Sequence, residues 1–181
     1  SHKFHGVRGV GFVYIKSGKK ITPLLTGGGQ ERDYRSTTEN VAGIAATAKA
    51  LRLSMEKLDI FTSKTGQMKA VIRQALLDYP DIFVFSDEED FAPHILTFGI
   101  KGVRGEVIVH AFEDYDIFIS TTSACSSKAG KPAGTLIAMG VDKDKAQSAV
   151  RLSLYLENDM SQVEQFLTKL KLIYNQTRKV R

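Results

Sequence analysis

The sequence predicts an α+β fold, bordering on α/β, in two parts. Three observations carry this. From residue 82 the apolar pattern runs β, β, α, β, loop, α, β, α, which suggests a mixed sheet with helices packed on one face. Two long stretches between residues 38 and 78 repeat apolar residues at helical spacing. Residues 1–60 differ in character from 61–181: a strand, a glycine loop and a long helix precede the denser β/α pattern.

The elements follow in order. Residues 10–15 are rich in Val, Ile, Phe and Tyr and read as a strand. Ser17-Gly18-Lys19-Lys20 reads as a turn and Gly27-Gly28-Gly29 as a loop. Ser36-Thr37-Thr38-Glu39 fits a capping box. Behind it Val41, Ile44, Ala45, Ala48, Leu51, Met55 and Leu58 predict a helix over about 38–60. A second helix is expected over about 64–78, with Met68, Val71, Ile72, Ala75 and Leu76 on one face and Tyr79-Pro80 ending it. Residues 82–85 and 94–100 read as strands, 103–112 as a helix and 117–120 as a short strand. Residues 121–133 hold almost nothing that could build a core. A short helix at 135–139 and a strand at 149–154 come next. A last helix carries Met160, Val163, Phe166, Leu167, Leu170 and Ile173.

Composition narrows the class. The chain has 181 residues, 43% hydrophobic and 25% charged. A folded chain of this size buries roughly 70% of its unfolded surface, so no disulfide scaffold is needed. No apolar run nears the ~20 residues of a membrane span, and no signal peptide opens the chain. One cysteine excludes an intrachain disulfide and points to a reducing, cytoplasmic setting. The net charge is +5, with no basic run of nucleic-acid type. The run Asp87-Glu88-Glu89-Asp90 reads as a solvated loop, and the tail 178–181 as a frayed end.

Three places could carry chemistry. Cys125 sits among Thr, Ser, Ala, Gly, Lys and Pro, with no large apolar residue within eight positions after it. A lone cysteine is usually a small buried hydrophobe. Here the polar surroundings predict a loop with an exposed thiol, a thiolate favoured by Lys128 and Lys131, and a sulfur able to travel between two places. Arg35 and the hydroxyls of Ser36, Thr37 and Thr38 precede a helix, where unpaired N–H groups suit a phosphate; an ordinary cap is the simpler alternative. Arg151 stands in the apolar strand Val150-Arg151-Leu152-Ser153-Leu154 and needs an anionic partner, either an internal carboxylate or a ligand's. His94 and His110 fall within elements and read as structural, and no metal-ligand spacing exists. Lys3 is unremarkable taken alone.

Taken in order, four motifs resemble the C-terminal half of a class I cysteine desulfurase of the NifS/IscS type. They are His2-Lys3-Phe4-His5-Gly6 with Gly9-Val10-Gly11-Phe12-Val13-Tyr14; Gly27-Gly28-Gly29-Gln30-Glu31 with Arg35-Ser36 and Glu39-Asn40; Ser123-Ala124-Cys125-Ser126-Ser127; and Arg151-Leu152-Ser153-Leu154. The chain differs from the family pattern at Val7, Thr37 and Tyr155, where proline, glycine and glycine are usual. That family consists of fold-type-I enzymes dependent on pyridoxal 5'-phosphate (PLP). The resemblance implies that residues 1–60 are the end of the PLP-binding large domain with its connecting helix. Residues 61–181 are then the small domain carrying the cysteine loop.

The resemblance also implies roles. Lys3 binds the cofactor and later moves the proton at the substrate α-carbon. His2 contacts the cofactor phosphate, and Thr38 reaches the phosphate of the partner subunit in a homodimer. Arg151 holds the carboxylate of L-cysteine. Cys125 takes the sulfur as a persulfide and passes it to an acceptor protein for iron–sulfur cluster assembly or tRNA thiolation. With the N-terminal half absent, the isolated chain is expected to be inactive. Selenocysteine lyase is the nearest enzymatic alternative; a non-catalytic module that only carries Cys125 and binds partners is the other.

Overall fold

The structure, a computed structural model, describes residues 1–86, 91–121 and 134–179, with side chains through residue 177. The chain divides into two compact units, Ser1–Leu58 and Asp59–Arg181.

The first unit is a short 3-10 turn, an extended and looped stretch, and one helix. The turn, His2–Phe4, closes when the Phe4 and Gly6 amides donate to the Ser1 carbonyl, each at 3.0 Å. Residues 10–15 form no strand, against the sequence expectation. A strand exists only by a ladder of backbone pairs, and among the described residues 10–15 form none; the Val10 carbonyl accepts only from the Ser1 amine, at 2.6 Å. Helix α1 spans Val41–Glu56. Its N-cap is Asn40, whose Oδ1 accepts from the Gly43 amide at 3.0 Å. The expected capping box at Ser36–Glu39 therefore does not form. The Ser36 amide instead donates to the Leu25 carbonyl at 3.0 Å and closes the loop containing the three glycines. Gly43 is required where it stands: a Cβ there would lie 2.6 Å from Val10 Cγ2.

Helix α1 ends at Lys57, whose amide turns back to Met55 and Ser54, and α2 runs Leu58–Leu77. Two helices thus occupy the span expected as one helix to 60 and another from 64. In α2, Thr65, Met68, Lys69, Ile72 and Leu76 are buried, a stripe at helical spacing. Val71, expected on that face, is exposed.

The second unit holds a four-stranded sheet of β1 (Ile82–Val84), β2 (Ile95–Ile100), β3 (Ser120–Thr121) and β4 (Val150–Ser153), in the order β1-β2-β4-β3. Every pairing is antiparallel, where the sequence pattern suggested a mixed sheet. Leu96, Phe98 and Ile100 of β2 and Val150 and Leu152 of β4 face the core. The connecting helix α3 is Gly105–Glu113, and α6 is Met160–Lys179. Phe112 of α3 stacks on Phe166 of α6 at 5.0 Å, and Phe98 meets Phe166 edge-on at 6.2 Å. One face of the sheet is thereby sealed by α2, α3 and α6. Gly105 allows α3 to start close to the sheet, since a Cβ would lie 2.9 Å from the Ala149 carbonyl oxygen.

Two short helices, α4 (Gly134–Ala138) and α5 (Lys143–Gln147), make a small second cluster from Leu136, Ala146 and Ala149 with Phe85 and Val141. Helix α6 begins with a reciprocal cap: the Gln162 amide donates to Asp159 Oδ1 at 3.0 Å, and the Asp159 amide donates to Gln162 Oε1 at 3.2 Å. The bond from the Gln162 amide first, and that from the Ser161 hydroxyl second, hold the Asp159 carboxyl below its usual range. The acidic run 87–90 and the last two residues of the tail lie outside the described residues. No helix among the described residues is long and apolar enough to cross a membrane.

His94 sits just before β2 and packs on Phe61 at 5.0 Å. Its Nδ1 is buried with no hydrogen-bond partner among the described residues. Burial first, and the Lys69 charge second, push its pKa down. The folded form therefore binds fewer protons than the unfolded form between the two pKa values. Stability from the neutral ring is complete above the unfolded value of about 6.5 and falls as pH drops through it. His94→Gln is expected to flatten this part of the stability curve. Denaturant titrations of both proteins over mildly acidic pH check it, and equal slopes would count against it.

Candidate active site

In the first unit, His2 and Lys3 lie side by side in the 3-10 turn, both exposed. The His5 left-handed conformation (φ 66°) ends that turn. Ser54 of α1 donates to the Phe4 carbonyl at 3.3 Å and Phe4 packs near Phe12 at 6.4 Å, so the lysine turn is pinned to α1 and to residues 10–15. Thr38 is exposed and lies three residues before α1, in the extended approach to Asn40. Sequence reasoning placed it at the helix terminus itself; the true cap makes it part of the lead-in.

The loop after the glycines is unusual. Glu31, Arg32 and Asp33 are consecutive left-handed residues at φ 52°, 55° and 67°. Each non-glycine residue there costs roughly 1–2 kcal/mol, and backbone strain of this kind concentrates at functional sites. The turn is held by Asp33 and Tyr34 amides donating to the Gln30 and Glu31 carbonyls, both at 3.1 Å. Beside it opens a cleft of about 1120 Å³, lined by Phe12, Leu25, Ile44 and Leu51 and by the cations Lys16, Lys19, Arg32 and Arg35. Sequence reasoning missed this cleft. Only the density of basic residues between 16 and 35 signalled it.

In the second unit, Arg151 occupies the central strand β4. Its neighbours Val150 and Leu152 are buried while Arg151 and Ser153 are exposed, so the guanidinium leaves the sheet on the face away from the core. Thr97 of β2 and Ser120 of β3 stand opposite Arg151 in register. No carboxylate among the described residues pairs with it. The internal partner that the strand position allowed is therefore not seen there. The row Thr97–Arg151–Ser120 offers one fixed cation between two hydroxyls, a geometry suited to a carboxylate ligand.

From Thr121, next to that row, the chain passes into residues 122–133. Cys125 with its neighbours Lys128 and Lys131 lies outside the described residues. His110, expected to be structural, is exposed on α3 and pairs with Glu113 at 2.7 Å. Lys69 is a further buried cation unseen in the sequence pattern; its Nζ donates to the Ala92 carbonyl at 3.1 Å.

The protein belongs to the class V aminotransferase family, whose model matches residues 1–166. It is 46% identical over 181 residues to a NifS/IcsS protein homologue of Lactobacillus delbrueckii subsp. bulgaricus, covering 99% of this chain and 47% of that relative. It is 35% identical over 183 residues to a cysteine desulfurase IscS of Clostridium botulinum, covering 99% and 46%. A solved NifS-like protein superposes with a TM-score of 0.78 at 33% identity, covering 98% of this chain and 44% of that one. A NifS-like protein from Rickettsia africae superposes at 0.71 and 27% identity, over 87% and 41%. The chain spans about half the length of the relatives it matches.

Enzymes of this family use pyridoxal phosphate in general. The donor set of the first unit fits that group chemically. Lys3 offers an exposed amine that makes no hydrogen bond among the described residues; His2 and Thr38 offer phosphate donors.

Proposed function

We propose that this chain is the catalytic-residue-bearing part of a PLP-dependent cysteine desulfurase that converts L-cysteine to L-alanine and a protein persulfide. Arg151 carries the reading within the structure: an exposed guanidinium fixed in a central strand, flanked by hydroxyls and without a carboxylate partner among the described residues. Family membership supplies the rest of the argument. In this reading residues 1–60 are the end of a cofactor-binding large domain and residues 61–181 a small domain with the cysteine loop.

Lys3 would hold the cofactor and would act as acid and base at the substrate α-carbon, taking its proton and later returning it. His2 donates to the cofactor phosphate, and Thr38 to that of a second subunit. Arg151 orients the substrate by two parallel hydrogen bonds to its carboxylate. Bound PLP supplies an electron sink that makes the Cβ–Sγ bond breakable. The Cys125 thiolate attacks the substrate sulfur. One S–S bond forms as the C–S bond breaks, the proton lost by the substrate thiol is made up at Cβ from solvent, and the proton that Lys3 returns to the α-carbon completes L-alanine. The persulfide on Cys125 is then passed to an acceptor protein, for iron–sulfur cluster assembly or tRNA thiolation.

The test joins residues 1–181 to the part of the Lactobacillus relative that they do not span. Equal amounts of alanine and transferred sulfur from L-cysteine are expected; faster turnover of selenocysteine than of cysteine would favour a lyase instead. The 181-residue chain by itself is expected to give no alanine. Arg151→Lys in the joined protein is expected to raise KM for L-cysteine roughly 10–100-fold, because a bidentate charged pair becomes a single point contact. An unchanged KM in steady-state kinetics would remove Arg151 from the site.

A further inference from the structure

The entry to β2 and the exit from β4 meet at one end of the sheet, and α2 grips both. Lys69 of α2 donates from Nζ to the Ala92 carbonyl at 3.1 Å, shortly before His94. Lys64, also of α2, donates to the Leu156 carbonyl beyond β4. Between these bonds lies an aromatic cluster: Phe61 of α2 packs against the His94 ring at 5.0 Å and against Tyr155 at 5.8 Å. The His94 carbonyl accepts from the Leu154 amide at 2.8 Å, next to the Ile95–Ser153 pair of the ladder. Further in along the same ladder, Thr97 stands opposite Arg151.

This arrangement suits a neutral imidazole and not a charged one. A neutral ring has one bare nitrogen, and the buried Nδ1, without a partner among the described residues, can be that atom. Protonation puts an N–H there with no acceptor facing it, and an unpaired buried donor costs more when it is charged. It also sets a second cation beside Lys69, which is 5% exposed and tied to the Ala92 carbonyl. The other ionisable groups of the elements packed on His94 are Asp59, Lys64 and Arg73 on α2, and Arg151, Tyr155, Glu157 and Asp159 on β4 and the turn after it. Among the described residues only Lys69 adds its charge to the effect of burial on this ring, and no carboxylate favours the charged form. His94 as a whole is only half-buried, so a protonated ring has a route to water.

We propose that His94 is a pH-operated latch on the β2–β4 ladder. Neutral, its ring lies against Phe61 and its carbonyl holds the Leu154 amide. Protonated, the ring leaves for water, the Leu154 bond opens, and the end of β4 frays toward Arg151. The latch rests on this geometry alone. Its consequence for a substrate, a weaker hold on a carboxylate in acid, rests on the reading of Arg151 given above, so the two fail separately.

Amide hydrogen exchange of the 181-residue chain, resolved by NMR and corrected for intrinsic rates, tests it from about pH 8 to about pH 5, where histidine titrates. Protection of the Leu154 amide is expected to fall at least about 10-fold on acidification, as for a local opening. The Phe85 amide, bonded to the Thr97 carbonyl, and the Lys101 amide, bonded to the Asp81 carbonyl, report the other edge of β2 and should keep their protection. His94→Gln is expected to make Leu154 protection independent of pH. Lys69→Met, which serves also if the glutamine variant does not fold, keeps the histidine and removes the neighbouring charge. The loss at Leu154 should then set in at higher pH. Four results overturn the proposal: no loss at Leu154, an equal loss at all three amides, a loss that persists in His94→Gln, or a midpoint that Lys69→Met leaves in place or lowers.

Discussion

Replacing Lys3 with alanine in the joined, full-length protein is expected to lower alanine formation from L-cysteine at least about 100-fold. Two losses combine. The cofactor loses its covalent anchor, and the substrate α-proton loses the base that takes it. A positioned acid–base group alone contributes about 10²–10⁴-fold. The structure gives the substitution a clean interpretation. Lys3 is exposed in the turn His2–Phe4 and makes no hydrogen bond among the described residues. Its loss should therefore leave stability unchanged. Borohydride reduction followed by peptide mapping gives an independent readout: the wild-type protein should retain cofactor on the Lys3 peptide and the variant should not. Turnover within a few-fold of wild type, or cofactor attached elsewhere, would contradict the assignment.

The second large effect concerns the scaffold. Phe166→Ala is expected to destabilise the second unit by about 3–5 kcal/mol, the usual cost of deleting a buried phenyl ring. Phe166 is 4% exposed and, among the described residues, is the ring that touches both Phe112 of α3 and Phe98 of β2. Its loss opens a cavity where helix, helix and sheet meet. Because β2 pairs β4, the strand holding Arg151 should loosen with it. Urea denaturation followed by far-UV dichroism measures the change. A loss under 1 kcal/mol would show that the sheet does not depend on this junction.

The elements of the second unit were legible because their information is local. Met68, Ile72 and Leu76 mark α2, and Val163, Phe166, Leu170 and Ile173 mark α6, by spacing alone. Helix ends were less legible. The Ser36–Glu39 pattern matched a capping box, but the Ser36 amide was already committed to Leu25, and Asn40 capped the helix instead. Strand direction was illegible, since period two says which face is buried but not which neighbour pairs. Residues 10–15 show the limit most plainly: strand composition is a property of the segment, strand structure a property of two. The candidate site was legible in a different way. Cys125 stood out by its polar surroundings and Arg151 by its apolar strand, whereas Lys3 stood out only through motifs taken together. The cationic cleft escaped because it assembles from residues 10–51 that share no local pattern.

The central claim is that the sulfur of L-cysteine passes through one thiol. Single-turnover incubation of the joined, full-length protein with L-cysteine, followed by peptide mass spectrometry, tests it directly. The account predicts one added sulfur atom on the peptide containing Cys125, one alanine per persulfide, and loss of sulfur transfer in Cys125→Ala. Sulfur released with Cys125 unmodified, at a rate that Cys125→Ala leaves unchanged, would contradict it.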